Sequence, residues 1–175
     1  MDLPAKQRQF EDQYPALFAQ TYRYVRYRVP HAQDAEDLVA DAILRAYAKL
    51  DLFEPEKGNL SQWLNGFARH KVLTHWRDRR VTVSFEELED VLSSPDQAPS
   101  EGVDQRLLAE RLMAGLPQTV KALIAMRFID GLTHEEIADA TRKEPQAVRQ
   151  FFSRLQRKLR LQAQELNDDA PSYVQ

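Results

Sequence analysis

The sequence predicts an all-α protein of two small helical domains joined by an acidic flexible linker, the second domain ending in a helix-turn-helix. Three observations carry this expectation. The 175 residues include only five glycines and few β-branched runs, and they are rich in Ala, Leu, Gln, Arg and Glu, the residues that favour helix. Apolar positions recur three and four residues apart in several separate segments. Between two such segments, Val81 to Asp104 holds seven acids, no Lys or Arg, and two prolines in SSPDQAPSEG, the composition of a linker. The expected boundaries are a first domain over 1–80, a linker over 81–104, a second domain over 105–166 and a polar tail over 167–175.

The first helix is expected between Phe10 and Val29, where Phe10, Tyr14, Leu17, Phe18, Tyr22 and Val25 fall at helical spacing and Pro30 ends the run. Its aromatics are read as core. A second helix follows in HAQDAEDLVADAILRAYAKLDLF, with Val39, Ile43, Ala46, Tyr47 and Leu50 as its apolar stripe. Asp34, Asp37 and Asp41 share the other side, which suits either a solvated surface or a docking face for a basic partner. Residues Asp51 to Ser61 read as a loop, and Ser61 is a candidate cap for the helix QWLNGFARHKVLTHWRDRR.

In that third helix Trp63, Leu64, Phe67 and Leu73 supply apolar positions. From Gly66 to Arg80, five Lys and Arg (69, 71, 77, 79, 80) face the single acid Asp78. Basic residues interleaved with aromatics, behind an exposed loop, are what unstacked single-stranded bases require. Trp63 and Trp76 can equally be core anchors, and a core tryptophan can also shape a neighbouring pocket.

From Gln105 the helical pattern resumes with Leu107, Leu108, Leu112 and Leu116 up to Pro117. Val120, Leu123, Ile124 and Phe128 then lead to Gly131, a candidate C-cap. The stretch Leu132 to Leu161 reads as a short helix, a turn and a longer basic helix. Thr133 with Glu136 makes a capping box, Glu135, Glu136 and Asp139 complement the helix dipole, and Pro145 suits the first turn of the second helix. There Val148, Phe152, Leu155 and Leu159 form an apolar back. Arg149, Gln150, Ser153, Arg154 and Arg157 form a front whose Arg and Gln can pair with base edges in a major groove. Arg142 to Arg160 carries seven Lys and Arg against Glu144 alone, within a chain whose net charge is −3.

Composition excludes several classes. The absence of cysteine rules out disulfides and thiolate metal sites. The N-terminal MDLPAKQRQFEDQY has no apolar h-region and no stretch approaches membrane-spanning length, so a cytoplasmic protein with no membrane insertion is expected. His134-Glu135-Glu136-Ile137-Ala138 begins like a zinc-protease motif but has Ala138 where the second histidine belongs. No nucleophile elbow or phosphate-binding glycine loop is present, so no enzyme, metal or cofactor is expected.

The ordered motifs resemble bacterial RNA polymerase sigma factors of the two-domain, extracytoplasmic-function type. Asp34-Ala35-Glu36-Asp37-Leu38-Val39 with Leu44-Arg45-Ala46-Tyr47 is similar to the family's first-domain motif. Trp63-Leu64 followed by Ala68-Arg69-His70 resembles its W-L…A-R-N motif. Leu132-Thr133, Glu135-Glu136-Ile137-Ala138, Val148 and Leu155 resemble its C-terminal helix-turn-helix. The resemblance implies that Asp34, Glu36, Asp37, Leu38 and Asp41 contact core RNA polymerase at its clamp helices. A further contact with the flap region is implied. Trp63, Arg69, His70, Lys71 and Arg77 would act at the minus-10 element, where a flipped non-template base is held. Arg149, Gln150, Ser153, Arg154 and Arg157 would read the minus-35 element. Proteins of this type are commonly held inactive by an anti-sigma factor.

Three positions depart from the pattern. His70 stands where the family usually has Asn, Ser153 replaces a bulkier residue, and the turn Thr141-Arg142-Lys143-Glu144-Pro145 lacks the family's glycine. The rival reading is a helix-turn-helix regulator that binds duplex DNA without polymerase. It leaves the acidic face, the loop before Trp63 and the acidic linker without a role.

Overall fold

A computed structural model describes residues 2–78 and 113–168, with side chains to Gln164. The acidic segment 81–104, the leucines Leu107, Leu108 and Leu112, and the tail beyond Asp168 lie outside the described residues. Among the described residues there are six α-helices and no strand. The chain divides into two units, Met1–Val81 and Thr82–Gln175.

The first unit is a three-helix assembly of α1 (Leu3–Arg26), α2 (Ala32–Ala48) and α3 (Leu60–Asp78). Helix α1 starts well before the aromatic periodicity, because Asp2 caps it: its Oδ1 accepts the Ala5 N–H at 3.0 Å. Pro15 lies inside α1 on its exposed side, where water can satisfy the carbonyl that the ring leaves without a helical donor. Two short 3-10 turns, Leu50–Leu52 and Pro55–Lys57, connect α2 to α3. The cap of α3 is Asn59 and not Ser61. Asn59 Oδ1 accepts the Gln62 N–H at 2.9 Å while Gln62 Oε1 accepts the Asn59 N–H at 3.0 Å, a reciprocal box built on an amide pair. The Ser61 hydroxyl bonds Gln20 Oε1 at 2.7 Å instead.

Phe10, Leu17 and Val25 of α1, Val39, Ile43 and Ala46 of α2, and Leu60, Leu64, Ala68, Val72 and Trp76 of α3 are buried together as the core. Trp76 is 1% exposed, and its indole N–H donates to the Arg28 carbonyl at 2.8 Å, which satisfies the one polar atom the ring brings inside. The remaining α1 aromatics differ from expectation. Tyr14 is exposed and Phe18 and Tyr22 are half-buried, forming a ladder of rings with centroids 6.2 and 6.1 Å apart. Residues four apart precess by about 40° per step on a 3.6-residue helix, which carries this row away from the buried stripe.

In the second unit α4 (Gln118–Ile124) runs into a π-helical turn, Ala125–Ile129. The Asp130 N–H bonds the Ala125 carbonyl at 3.0 Å, and Gly131, at φ 70°, lets the Leu132 N–H reach the Met126 carbonyl at 3.0 Å. The wider turn rotates Phe128, expected on the apolar pattern, to the surface, where its ring edges onto Phe152 at 6.0 Å. Helices α5 (His134–Thr141) and α6 (Pro145–Asp168) complete the unit, and Val120, Leu123, Met126, Leu132, Ile137, Val148, Phe151, Phe152 and Leu155 are among its buried side chains.

Candidate nucleic-acid interface

The helix-turn-helix of α5 and α6 is built by local rules. Thr133 Oγ1 accepts the Glu136 N–H at 3.1 Å and Glu136 Oε2 accepts the Thr133 N–H at 2.8 Å, so two orphan donors of α5 are satisfied reciprocally. At its other end the Thr141 hydroxyl donates to the Ile137 carbonyl at 2.8 Å and the Lys143 N–H to the Ala138 carbonyl at 3.0 Å. The turn is made by Arg142 in the left-handed region, φ 54° and ψ 41°. The backbone geometry that a glycine would serve is therefore kept, with an arginine bearing its strain.

Val148, Phe151, Phe152 and Leu155 hold α6 against the unit, whereas Leu159 is only half-buried. The five candidate readers Arg149, Gln150, Ser153, Arg154 and Arg157 are all exposed. At 3.6 residues per turn they span an arc of about 140° opposite the buried side chains. Phe151, a core residue that strict four-three spacing passes over, flanks the row of Val148, Phe152, Leu155 and Leu159 and widens the buried face. Arg149 is not alone on this face: its Nη1 meets Glu135 Oε1 at 2.8 Å. The Glu135 carboxyl is held below the ordinary carboxylate range by its own backbone N–H at the helix start, with Arg149 adding to the effect.

On α3 the candidate residues separate. Trp63, His70 and Lys71 line one cleft of about 470 Å³, together with Arg45, Ala48, Lys49, Gly66 and Phe67. Arg69 and Arg77 do not line it. Arg77 is exposed near the helix end, and Arg69 is half-buried. Trp63 is half-buried, its ring set against Phe67 at 5.1 Å and against Phe53 at 5.9 Å, and its indole N–H is shielded without an acceptor. It also stands in the wall of a second pocket, of about 270 Å³, formed by the loop with Phe53, Glu54, Lys57, Asn59 and Gln62. Sequence reasoning missed Arg45, Lys49, Gly66 and Phe67 as cleft residues. The one local signal was a glycine in the middle of a helical pattern.

The acidic side of α2 needs correction. Asp34 and Asp41, two turns apart, do share a face, but it is turned to α3. Asp34 is buried, with Oδ2 3.8 Å from His75 Nε2. Asp41 pairs with Lys71 and, at 3.4 Å, with Arg45. Its carboxyl is held below the usual range by the Lys71 hydrogen bond above all. Lys71 and His75 lie one turn apart on α3, so two acids meet two bases across the helix pair. Glu36 and Asp37 are exposed and Leu38 is half-buried. Lys71, a minus-10 candidate, is thereby a cross-helix partner with only 14% of its side chain exposed.

No helix among the described residues is long and apolar enough to cross a membrane, and no three of their His, Asp and Glu side chains could hold a metal ion.

Fold and faces define a class: an all-α protein in which one unit is built around a helix-turn-helix and the other around a basic, aromatic-lined helix. The family model described as Sigma-70 region 2 matches residues 11–82, and that described as Sigma-70, region 4 matches residues 106–159. The chain belongs to the sigma-70 family, extracytoplasmic-function type. It is 29% identical over 154 residues to the "ECF RNA polymerase sigma factor BldN" of Streptomyces coelicolor, covering 85% of this chain and 57% of that protein. It is 32% identical over 105 residues to the "ECF RNA polymerase sigma factor SigF" of Caulobacter vibrioides, 59% of this chain and 56% of the relative. Against the "ECF RNA polymerase sigma factor RpoE" of Cereibacter sphaeroides the identity is 30% over 115 residues, 63% of this chain and 61% of the relative. The matches thus span less than two thirds of the length of these three curated relatives.

Proposed function

We propose that this chain is a promoter-recognition subunit that binds core RNA polymerase and directs initiation at specific promoters in the cytoplasm, with no chemistry of its own. The observation that carries the reading is the α6 face: five exposed Arg, Gln and Ser side chains directly opposite a buried apolar back. On this reading Arg149, Gln150, Ser153, Arg154 and Arg157 contact the minus-35 element. Trp63, His70 and Arg77 contact the opened minus-10 strand, Arg69 flanks them, and the loop pocket beside Trp63 takes a flipped base.

Core polymerase docks on the part of α2 left exposed, Glu36 and Asp37 with Leu38 at its edge. Asp34 supports that surface from inside, and the half-exposed Asp41, paired with Lys71 and Arg45, lies at its edge. Residues 1–80 and 105–166 act as the minus-10 and minus-35 domains, and an anti-sigma factor would cover the docking surface. The relatives named above are all RNA polymerase sigma factors, which supports the polymerase as partner. Affinity for duplex promoter DNA with and without core tests the reading. Tight binding only with core supports it, and equally tight binding by the chain alone makes it a stand-alone regulator.

A further inference from the structure

Helix α1 begins about two turns before the aromatic pattern of its sequence, and those turns carry Lys6. Asp2 caps the helix start, and the half-buried Lys6 reaches from there to the loop between α2 and α3. Its ammonium donates to the Asp51 carbonyl at 2.9 Å and to the Phe53 carbonyl at 2.6 Å. Backbone carbonyls withdrawn from water need partners, and a charged donor makes the stronger bond. The two acceptors lie 45 and 47 residues along the chain, so local sequence gives no sign of them. Lys6 also precedes residues 11–82, the part of this unit matched as Sigma-70 region 2.

These two bonds hold one wall of the loop pocket. Phe53 is buried, its ring 5.9 Å from Trp63, and with Leu52 and Glu54 it lines the cavity of about 270 Å³. The far end of the loop is fixed by the reciprocal bonds of Asn59 and Gln62. Gly58 lies so close to that box that a Cβ there would meet Gln62 Oε1 at 2.7 Å. Between the two anchors the chain passes through the 3-10 turn Pro55–Lys57, with an exposed Lys57–Glu54 pair at 2.9 Å. A pocket whose wall is pinned from α1 at one end and from α3 at the other has a set width. Discriminating one base from another requires walls placed to that precision.

We propose that Lys6 is a positioning residue for minus-10 base choice: by holding the Asp51 and Phe53 carbonyls it fixes the loop-pocket wall and hence which base the pocket accepts. The inference rests on the reading of that pocket as the seat of a flipped base. It adds a determinant of base choice on α1, outside both the loop and α3. Lys6 acts through the loop backbone and touches neither base nor phosphate.

The test uses the full chain with core RNA polymerase and non-template oligonucleotides from a promoter mapped by transcription. All four bases are placed in turn at each minus-10 position. Leu52 is 60% exposed on the pocket wall, so Leu52→Trp blocks the pocket and identifies the nucleotide it serves. Lys6→Met keeps the stem and removes the donors. It should reduce the preference among bases at that nucleotide about 10-fold, within the worth of one well-placed base contact, and leave the other positions as in wild type. Lys6→Arg keeps charge and donors and should retain the wild-type preference. Glu11→Ala removes the 2.8 Å bond to the Tyr47 hydroxyl at the same end of α1 and should leave the preference unchanged. A loss spread evenly over all positions in Lys6→Met, or the same position-specific loss in Glu11→Ala, makes Lys6 a structural tie and overturns the proposal. Unchanged preference in Lys6→Met beside a loss in Leu52→Trp also overturns it, with the pocket reading intact. If Leu52→Trp alters no position, the loop pocket holds no base, and the pocket reading fails together with this inference.

Discussion

Arg149 of the reading helix and Glu135 of the preceding helix are joined by a 2.8 Å ion pair, so the first helix of the motif holds a candidate base-reading side chain before DNA arrives. Both partners are more than half exposed, 51% and 63%, so water screens the pair and it adds little to stability. Its consequence is positional. Glu135→Gln should leave the melting temperature nearly unchanged, yet release Arg149 and tighten promoter duplex binding by holoenzyme. Arg149→Ala should cost about 1–3 kcal/mol of binding and relax one minus-35 position. Binding affinities on single-base promoter variants check both.

Arg142 is the second expectation. A non-glycine residue in the left-handed region costs roughly 1–2 kcal/mol, while glycine gives back part of that gain in chain entropy. Arg142→Gly should therefore stabilise the second unit by about 0.5–1 kcal/mol, and Arg142→Val should destabilise it. The two tryptophans of the chain, Trp63 and Trp76, lie in the first unit. The shift should accordingly appear in urea unfolding followed by far-UV circular dichroism and be absent from tryptophan fluorescence.

His134 gives a pH dependence. Burial, reinforced by Arg127, lowers its pKa below the ordinary value of 6.5. The unfolded chain then takes up a proton that the folded chain resists, so this group's contribution to stability declines as pH falls through about 6.5. Unfolding of wild type at pH 5.5 and 7.5 should differ more than that of His134→Gln. Equal slopes for the two proteins would remove His134 as the cause.

The α2–α3 charge pairs give the opposite side of the scale. The folded Asp41 carboxyl titrates below its unfolded value, so its contribution is present above about pH 4 and is lost as pH falls through the lower folded value. Lys71→Met should shift the acid unfolding midpoint of the first unit upward, read by tryptophan fluorescence. Asp34 is the buried member, and Asp34→Ala should destabilise that unit by about 1–3 kcal/mol at neutral pH.

Much of this was legible in the sequence because it is local. The capping box of Thr133 and Glu136, Pro145 at a helix start and the apolar back of α6 all follow from residues within a turn or two of each other. The Arg149 to Arg157 face is visible for the same reason. What the sequence hid depends on a partner far along the chain. Asp34 and Asp41 looked like a solvated acidic face because Lys71 and His75, which they meet, lie on another helix. Trp76 and Trp63 look alike in sequence, yet one bonds the Arg28 carbonyl inside the core and the other walls a cleft. Phe128 was misplaced because one π turn breaks the period on which helical patterns rest.

Run-off transcription with core RNA polymerase on fragments of the source genome, with and without this chain, asks whether the chain selects promoters. New start sites should appear only with the chain and share sequence elements upstream at minus-10 and minus-35, and Arg149→Ala and Arg154→Ala should relax the minus-35 element alone. An unchanged transcript pattern, with the chain alone shifting duplex DNA, would contradict promoter selection.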